Sequence, residues 1–232
     1  MEKKLNKYLI FYLSTLLGFS YFFLSIKYQV GNDSTISEWF INYEGGFTKR
    51  GLIGQLAISL TRFFDSDLRW VIFLLQSFTC SIYFLLLYNF LKNLKYERVI
   101  ILSIFTPIFI LYPIAEIEVL ARKEIIVFSF LIIYLFVPRK SNFKIISFII
   151  FSVLSMLVWE PIIFFFPILF IYEMIDKEIE KFDLNFLRII IYFIPSLTIA
   201  FIMIFNPLSK DEHQLMASVL KNEFGQNWLY VL

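Results

Sequence analysis

Histidine and cysteine are almost absent from this chain, which has one of each, His213 and Cys80, in 232 residues. A lone thiol in an apolar run excludes an intrachain disulfide framework. A lone imidazole without a second thiol leaves no readable metal site. Charge is also scarce. Asp, Glu, Lys and Arg make up 17% of the residues, whereas 59% are hydrophobic and the mean hydropathy is +0.74. A soluble domain of this length needs more polar surface, so a soluble nucleic-acid binder is excluded and the class is a polytopic membrane protein. The formal charge of +2 decides little, because in such proteins the placement of charge matters more than its sum.

What fills the chain is apolar run after apolar run. Uninterrupted runs, unlike alternating ones, predict helices rather than a barrel. They fall at about 8–26, 70–91, 99–114, 125–137, 145–159, 161–175 and 188–205. The expected architecture is therefore all-α, one transmembrane domain over residues 1–232 with about seven transmembrane helices. The first run follows basic residues, as an export signal does, but no small-x-small cleavage site comes after it, so it reads as a retained span.

Basic residues occupy every second connection: Lys3, Lys4 and Lys7, then Lys92, Lys95 and Arg98, then Arg139, Lys140 and Lys144, then Lys177, Lys181 and Arg188. That alternation places the N-terminus and these connections in the cytoplasm of a multi-pass protein of the cytoplasmic (inner) membrane. The stretch 145–175 decides whether it holds. As one helix it would run roughly 46 Å, against a hydrocarbon core of about 30 Å. A hairpin turning at Trp159-Glu160-Pro161 preserves the pattern, and Pro161 disfavours helical geometry at Glu160.

With this topology the unusual residues gather outside. The extracytoplasmic face receives the loop 27–69, the charged segment 115–124, the Glu160 tip and the C-terminal piece with His213. The runs 99–114 and 125–137 make helices of only about 24 and 20 Å, which sets Glu116, Glu118, Arg122, Lys123, Glu124 and Glu160 below the outer surface. Charges at that depth are expected to face one another or a water-filled vestibule. Glu118 and Arg122 have the i,i+4 spacing of a helical ion pair. Glu160 has no charged residue within ten positions on either side.

The segment NYEGGFTKRGLIGQL, 42–56, concentrates Gly45, Gly46, Gly51 and Gly54 around Lys49 and Arg50. The mixed polarity of 52–64 predicts an interfacial helix along the outer leaflet. Gly45 and Gly46 suit positive φ, and Gly51 leaves the backbone open where that helix begins. Helix-start amides with Lys49 and Arg50 suit a phosphate, or the phosphates of membrane lipids. A Walker A loop is excluded, since Leu52 and Ile53 stand where Lys and Ser/Thr are required.

On these features the chain resembles the membrane-embedded C-type glycosyltransferases, with a first helix from the cytoplasm, a long external loop with interfacial helices and a membrane-level site. The segment GGFTKRGLIG also looks like a Gly-Gly-aromatic-x-basic-Arg-Gly-Leu element of bacterial surface-polysaccharide membrane proteins. The resemblance implies sugar transfer from a polyprenyl-phosphate sugar in cell-envelope polysaccharide or glycolipid synthesis. It implies an acidic residue early in the first external loop that assists the acceptor or a divalent metal ion. Asp33 is the positional match, with Glu38 and Glu44 as substitutes, although the paired acidic signature of many members is missing. Asp33 or Glu44 then acts as general base, Lys49 and Arg50 with Arg122 or Lys123 stabilise the departing phosphate, and Glu160 orients the acceptor or the cations. The family's larger helix count implies a portion of chain beyond Leu232. A glycan polymerase or ligase, a transport subunit and a non-catalytic assembly subunit remain as alternatives. A transporter suits the sequence least, because the spans hold few polar groups beyond Gln76 and Asn89 and no repeat is visible.

Overall fold

The structure, a computed structural model, describes residues 2–30, 34–94, 101–102, 104, 119–138, 143–175 and 182–226. Among them every regular element is helical and there is no strand. The order is α1 (Glu2–Val30), α2 (Ser34–Trp39), α3 (Gly51–Phe64), α4 (Leu68–Leu91), α5 (Glu124–Phe136), α6 (Phe143–Val158), a 3-10 helix (Glu160–Phe165), α7 (Phe166–Ile175), α8 (Phe182–Phe205) and α9 (Lys210–Phe224).

Two of these helices, over Leu5–Val30 and Leu68–Leu91, are long and apolar enough to cross a membrane, and a third counts if the bent pair α8 and α9 is one span. Among the described residues, length and apolarity thus support two or three of the seven expected crossings. At 13 and 16 residues, α5 and α6 reach only about 20 and 24 Å. The expected run 99–114 lies almost wholly outside the described residues. Phe11, Phe22, Phe78 and Phe201 are more than half exposed, so these helices present apolar side chains outward as well as inward. Helices that are apolar all round suit lipid.

α1 and α4 pack antiparallel. The Tyr28 ring lies 6.0 Å from Trp70, and Arg69 Nη2 donates to the Tyr28 carbonyl at 2.6 Å. Farther along, the Tyr21 hydroxyl bonds Ser81. The C-terminal end of α1 therefore sits beside the start of α4, and the Lys7 end of α1 beside its finish.

The hairpin expected at Trp159 is present. The Phe148 and Phe166 rings each lie 4.8 Å from Phe193, so they are within about 10 Å of each other. A continuous helix would separate them by about 27 Å. Trp159 is extended at φ −157°, ψ 97°, and Pro161 stands in the first turn of the 3-10 helix. Lys144, at the start of α6, places its ammonium 5.7 Å from the Tyr172 ring at the far end of α7.

Lys144 also closes the opposite end of α5. Its Nζ donates to the Tyr134 carbonyl at 3.1 Å and lies 3.6 Å from the centroid of the Tyr134 ring, while the residue is 5% exposed. Unpaired C-terminal carbonyls and an aromatic face both favour a cation. Lys144→Met is expected to lower stability by about 2 kcal/mol, measured by unfolding in detergent; an unchanged midpoint would refute the latch.

Together these contacts give the bundle two unlike ends. Phe90 of α4 packs 6.4 Å from Phe136 of α5, which puts Lys92 on the same end as Lys144 and the start of α1. The other end carries α2, the start of α3, the start of α5 and the Glu160 tip. Lys95, Arg98, Arg139, Lys140, Lys177 and Lys181 lie outside the described residues.

Candidate functional site

The site forms where four separate segments end. Trp39, fully buried at the end of α2, donates its indole N–H to the Ala121 carbonyl at 3.0 Å. This bond draws the turn before α5 against α2 and sets Arg122 beside Glu38. Glu38, 3% exposed, accepts from Arg122 Nε at 3.0 Å and Nη2 at 2.5 Å. A third bond comes from Arg50 Nη1 at 2.9 Å. Arg50 then reaches across to the hairpin tip, where Nε and Nη2 grip the two oxygens of Glu160 at 2.7 and 3.0 Å. A bidentate guanidinium–carboxylate pair is among the stronger and more directional polar contacts available to side chains.

Arg50 is held by its backbone as well as its side chain. It is the N-cap of α3 and adopts left-handed geometry, φ 59° and ψ 14°, unusual for a residue with a Cβ. Its carbonyl accepts a hydrogen bond from Lys123 Nζ. Lys123 has no exposed surface, and burial pushes its ammonium down to about 7, opposed by Glu38. Lys123 stands at the N-cap of α5, a position that ordinarily takes a short hydrogen-bond acceptor.

The glycines serve a different purpose from the open helix start that the sequence suggests. Gly51 is buried, and a Cβ there would lie 2.2 Å from the Tyr43 ring; at Gly54 a Cβ would lie 1.9 Å from the Ile41 carbonyl oxygen. α3 can approach the 39–43 loop this closely only because both side chains are missing. Gly45 likewise abuts the Glu212 carbonyl of α9, and of the adjacent pair only Gly46 has positive φ, at 133°. An anion would therefore meet the guanidinium groups rather than bare amides at the start of α3.

Above the cluster opens a cavity of about 390 Å³, lined by Glu38, Lys49, Arg50, Arg122 and Glu160 on one side and by His213 and Met216 of α9 on the other. α9 turns 100° from α8 to form that wall. Ser209 caps it, accepting from the Glu212 backbone N–H while the Glu212 side chain accepts from Ser209. Lys49 brings a cation to the rim with no hydrogen bond or ion pair of its own among the described residues.

Other expected site residues lie elsewhere. Glu44 does not line the cavity. Its Oε1 accepts from Gln55 at 2.9 Å and from Arg62 at 2.8 Å, which hold its carboxyl below the usual range, Arg62 more than Gln55. Arg62 continues to Glu223 of α9, so this network fastens α9 to α3. Asp33, Glu116 and Glu118 lie outside the described residues. Arg122 bonds Glu38, and the i,i+4 pair expected with Glu118 falls on a residue outside the described ones. Among the described residues the acidic groups at the cavity do not fit a divalent ion either, because Glu38 and Glu160 are both turned onto guanidinium groups. Among the described residues no three His, Cys, Asp or Glu side chains converge. Three features escape the sequence reading: Trp39 as the pin, Lys123 as a partner of Arg50's backbone, and His213 as part of the wall. Each depends on contacts more than 70 residues apart or on a helix bend, and local pattern carries no sign of either.

Comparison with known proteins finds no matching family model, no matching curated protein and no matching solved structure.

Proposed function

We propose that this is a multi-pass membrane glycosyltransferase-like enzyme that takes a sugar from a lipid-phosphate carrier in cell-envelope polysaccharide or glycolipid synthesis. The observation that carries the reading is the convergence of Lys49, Arg50, Arg122 and Glu160 on one cavity. Its volume falls in the range of small-molecule sites, about 300–1,000 Å³. The sidedness in this reading comes from the basic ends. Lys7, Lys92 and Lys144 share the end opposite the cavity, so the positive-inside tendency turns the cavity outward with the N-terminus in the cytoplasm. The short helices α5, α6 and α7 would add three crossings in a locally thinned bilayer, and the expected run 99–114 would be the seventh.

In this mechanism the donor phosphate takes Arg50 from Glu160. The released carboxylate accepts the proton of an acceptor hydroxyl. The acceptor oxygen bonds to the anomeric carbon as the bond from that carbon to the phosphate oxygen breaks. The electron pair leaves on the phosphate, where Arg50, Arg122 and Lys49 stabilise it. Asp33, outside the described residues, remains the base that the family resemblance implies; Glu160 is a described carboxylate that lines the cavity.

The test is transfer from polyprenyl-phosphate sugars by purified protein. Arg50→Lys keeps the charge but loses the fork, and is expected to lower kcat by about 10²-fold or more. No transfer from any lipid-phosphate sugar by the wild type would favour a non-catalytic subunit, and an unimpaired Arg50→Lys would remove the site.

A further inference from the structure

We infer that Lys123 is a positioning residue that sets Arg50 for anion binding by holding its backbone carbonyl, so that one buried ammonium governs the grip of the whole cluster. For its binding arm this rests on the phosphate reading of the cavity. The observation that carries it stands apart from that reading. A lysine with no exposed surface occupies the N-cap of α5 and spends its Nζ on the carbonyl of Arg50, itself in left-handed geometry.

Each part of this arrangement is unfavourable alone. A cation at a helix N-terminus opposes the helix dipole. A fully buried ammonium loses its hydration, and a left-handed residue with a Cβ is strained. Together they fix the point from which the Arg50 side chain departs. From that point three of its nitrogens reach Glu160 and Glu38 at 2.7–3.0 Å. If the carbonyl were free to turn, the guanidinium would swing with it, Glu160 would lose its partner and Glu38 would keep only Arg122.

The groups around Lys123 also give its charge a second effect. Glu38 from α2, Glu160 from the hairpin tip and Glu124 from α5 favour the ammonium, while Arg50 opposes it. With Lys123 charged, the four cations Lys49, Arg50, Arg122 and Lys123 exceed the three carboxylates by one. With Lys123 neutral, the balance is even. An anion bound at Arg50 therefore stabilises the charged form of Lys123, and the binding must draw in a proton wherever that form is incompletely populated. Since burial brings the ammonium down to about 7, proton uptake is expected at pH 8 and absent at pH 6.

The experiment uses the full chain in detergent and a short-chain prenyl methyl phosphodiester, whose single negative charge does not titrate in this range. Calorimetry in buffers of different ionisation enthalpy reads affinity and proton uptake together. Wild type is expected to take up protons at pH 8. Lys123→Met is expected to bind about tenfold more weakly with no uptake, and Lys123→Gln, which retains a donor for the Arg50 carbonyl, to recover most of the affinity but not the uptake. Wild-type affinity and uptake in Lys123→Met would overturn the inference.

A thermal-unfolding cycle of wild type, Lys123→Met, Glu160→Gln and the double variant decides the matter without any ligand. The two sites couple through Arg50, so the double variant should lose less than the sum of the single losses; strict additivity would overturn the positioning role. If the wild type binds no phosphodiester, the phosphate reading fails while this cycle still gives its answer. Lys123→Gln takes the place of Lys123→Met in the cycle if the latter does not fold.

Discussion

Glu160→Gln is expected to separate binding from transfer, raising the first and removing the second. In the resting site Glu160 occupies both the Nε and Nη2 of Arg50, the groups that a donor phosphate needs. Gln keeps the shape but loses the charge, so the phosphate no longer competes with a carboxylate. The side chains of this pair are 24% and 27% exposed, which moderates the gain. Phosphodiester affinity should rise roughly 5- to 30-fold, the equivalent of about 1–2 kcal/mol for one charge-assisted pair. Transfer should fall by about 10²- to 10⁴-fold, the usual contribution of a positioned proton acceptor. Equilibrium binding and single-turnover transfer on the same preparation give both numbers. A parallel fall in both would show that Glu160 only braces Arg50, and the proton would need another acceptor.

Glu38→Ala is expected to cost stability rather than chemistry. The side chain of Glu38 is 4% exposed and takes three bonds from two guanidinium groups. Its removal leaves Arg50 and Arg122 facing each other without their shared counter-charge. Breaking a buried pair in this way costs about 3–5 kcal/mol. Arg62→Ala provides the contrast. It also breaks contacts to two carboxylates, Glu44 and Glu223, but Arg62 is 41% exposed and solvent takes over much of the interaction. A loss below about 1 kcal/mol is expected there. Chemical unfolding in detergent of both variants tests the pair of values. Equal losses would mean that water reaches Glu38 as freely as Glu44.

Legibility in the sequence followed distance along the chain. The hairpin was readable because 31 residues outrun a bilayer and Pro161 marks the break. The isolation of Glu160 and the cationic pair Lys49-Arg50 were readable as oddities in an apolar text. Their meeting was not, since 110 residues separate Arg50 from Glu160 and no periodicity connects them. Glu44 shows the opposite failure. It stands beside the glycines and looks available, but Gln55 and Arg62, two turns apart on one face of α3, both reach its carboxylate. Gly51 and Gly54 signalled something real, yet the requirement is steric, set by the Tyr43 ring and the Ile41 carbonyl. The number of crossings was least readable, because apolar runs of 13 or 16 residues fix helices without fixing what they traverse.

Arg50 also imposes a timetable on the nascent chain. Its partners leave the ribosome 12, 73 and 110 residues from it, in Glu38, Lys123 and Glu160. At about 5–20 residues per second, some 5–20 s pass between the synthesis of Arg50 and that of Glu160. Of the two carboxylates that bond Arg50, Glu38 alone exists throughout that interval, so the Glu38–Arg50 pair is the one of the two that the growing chain can form before the hairpin tip is made.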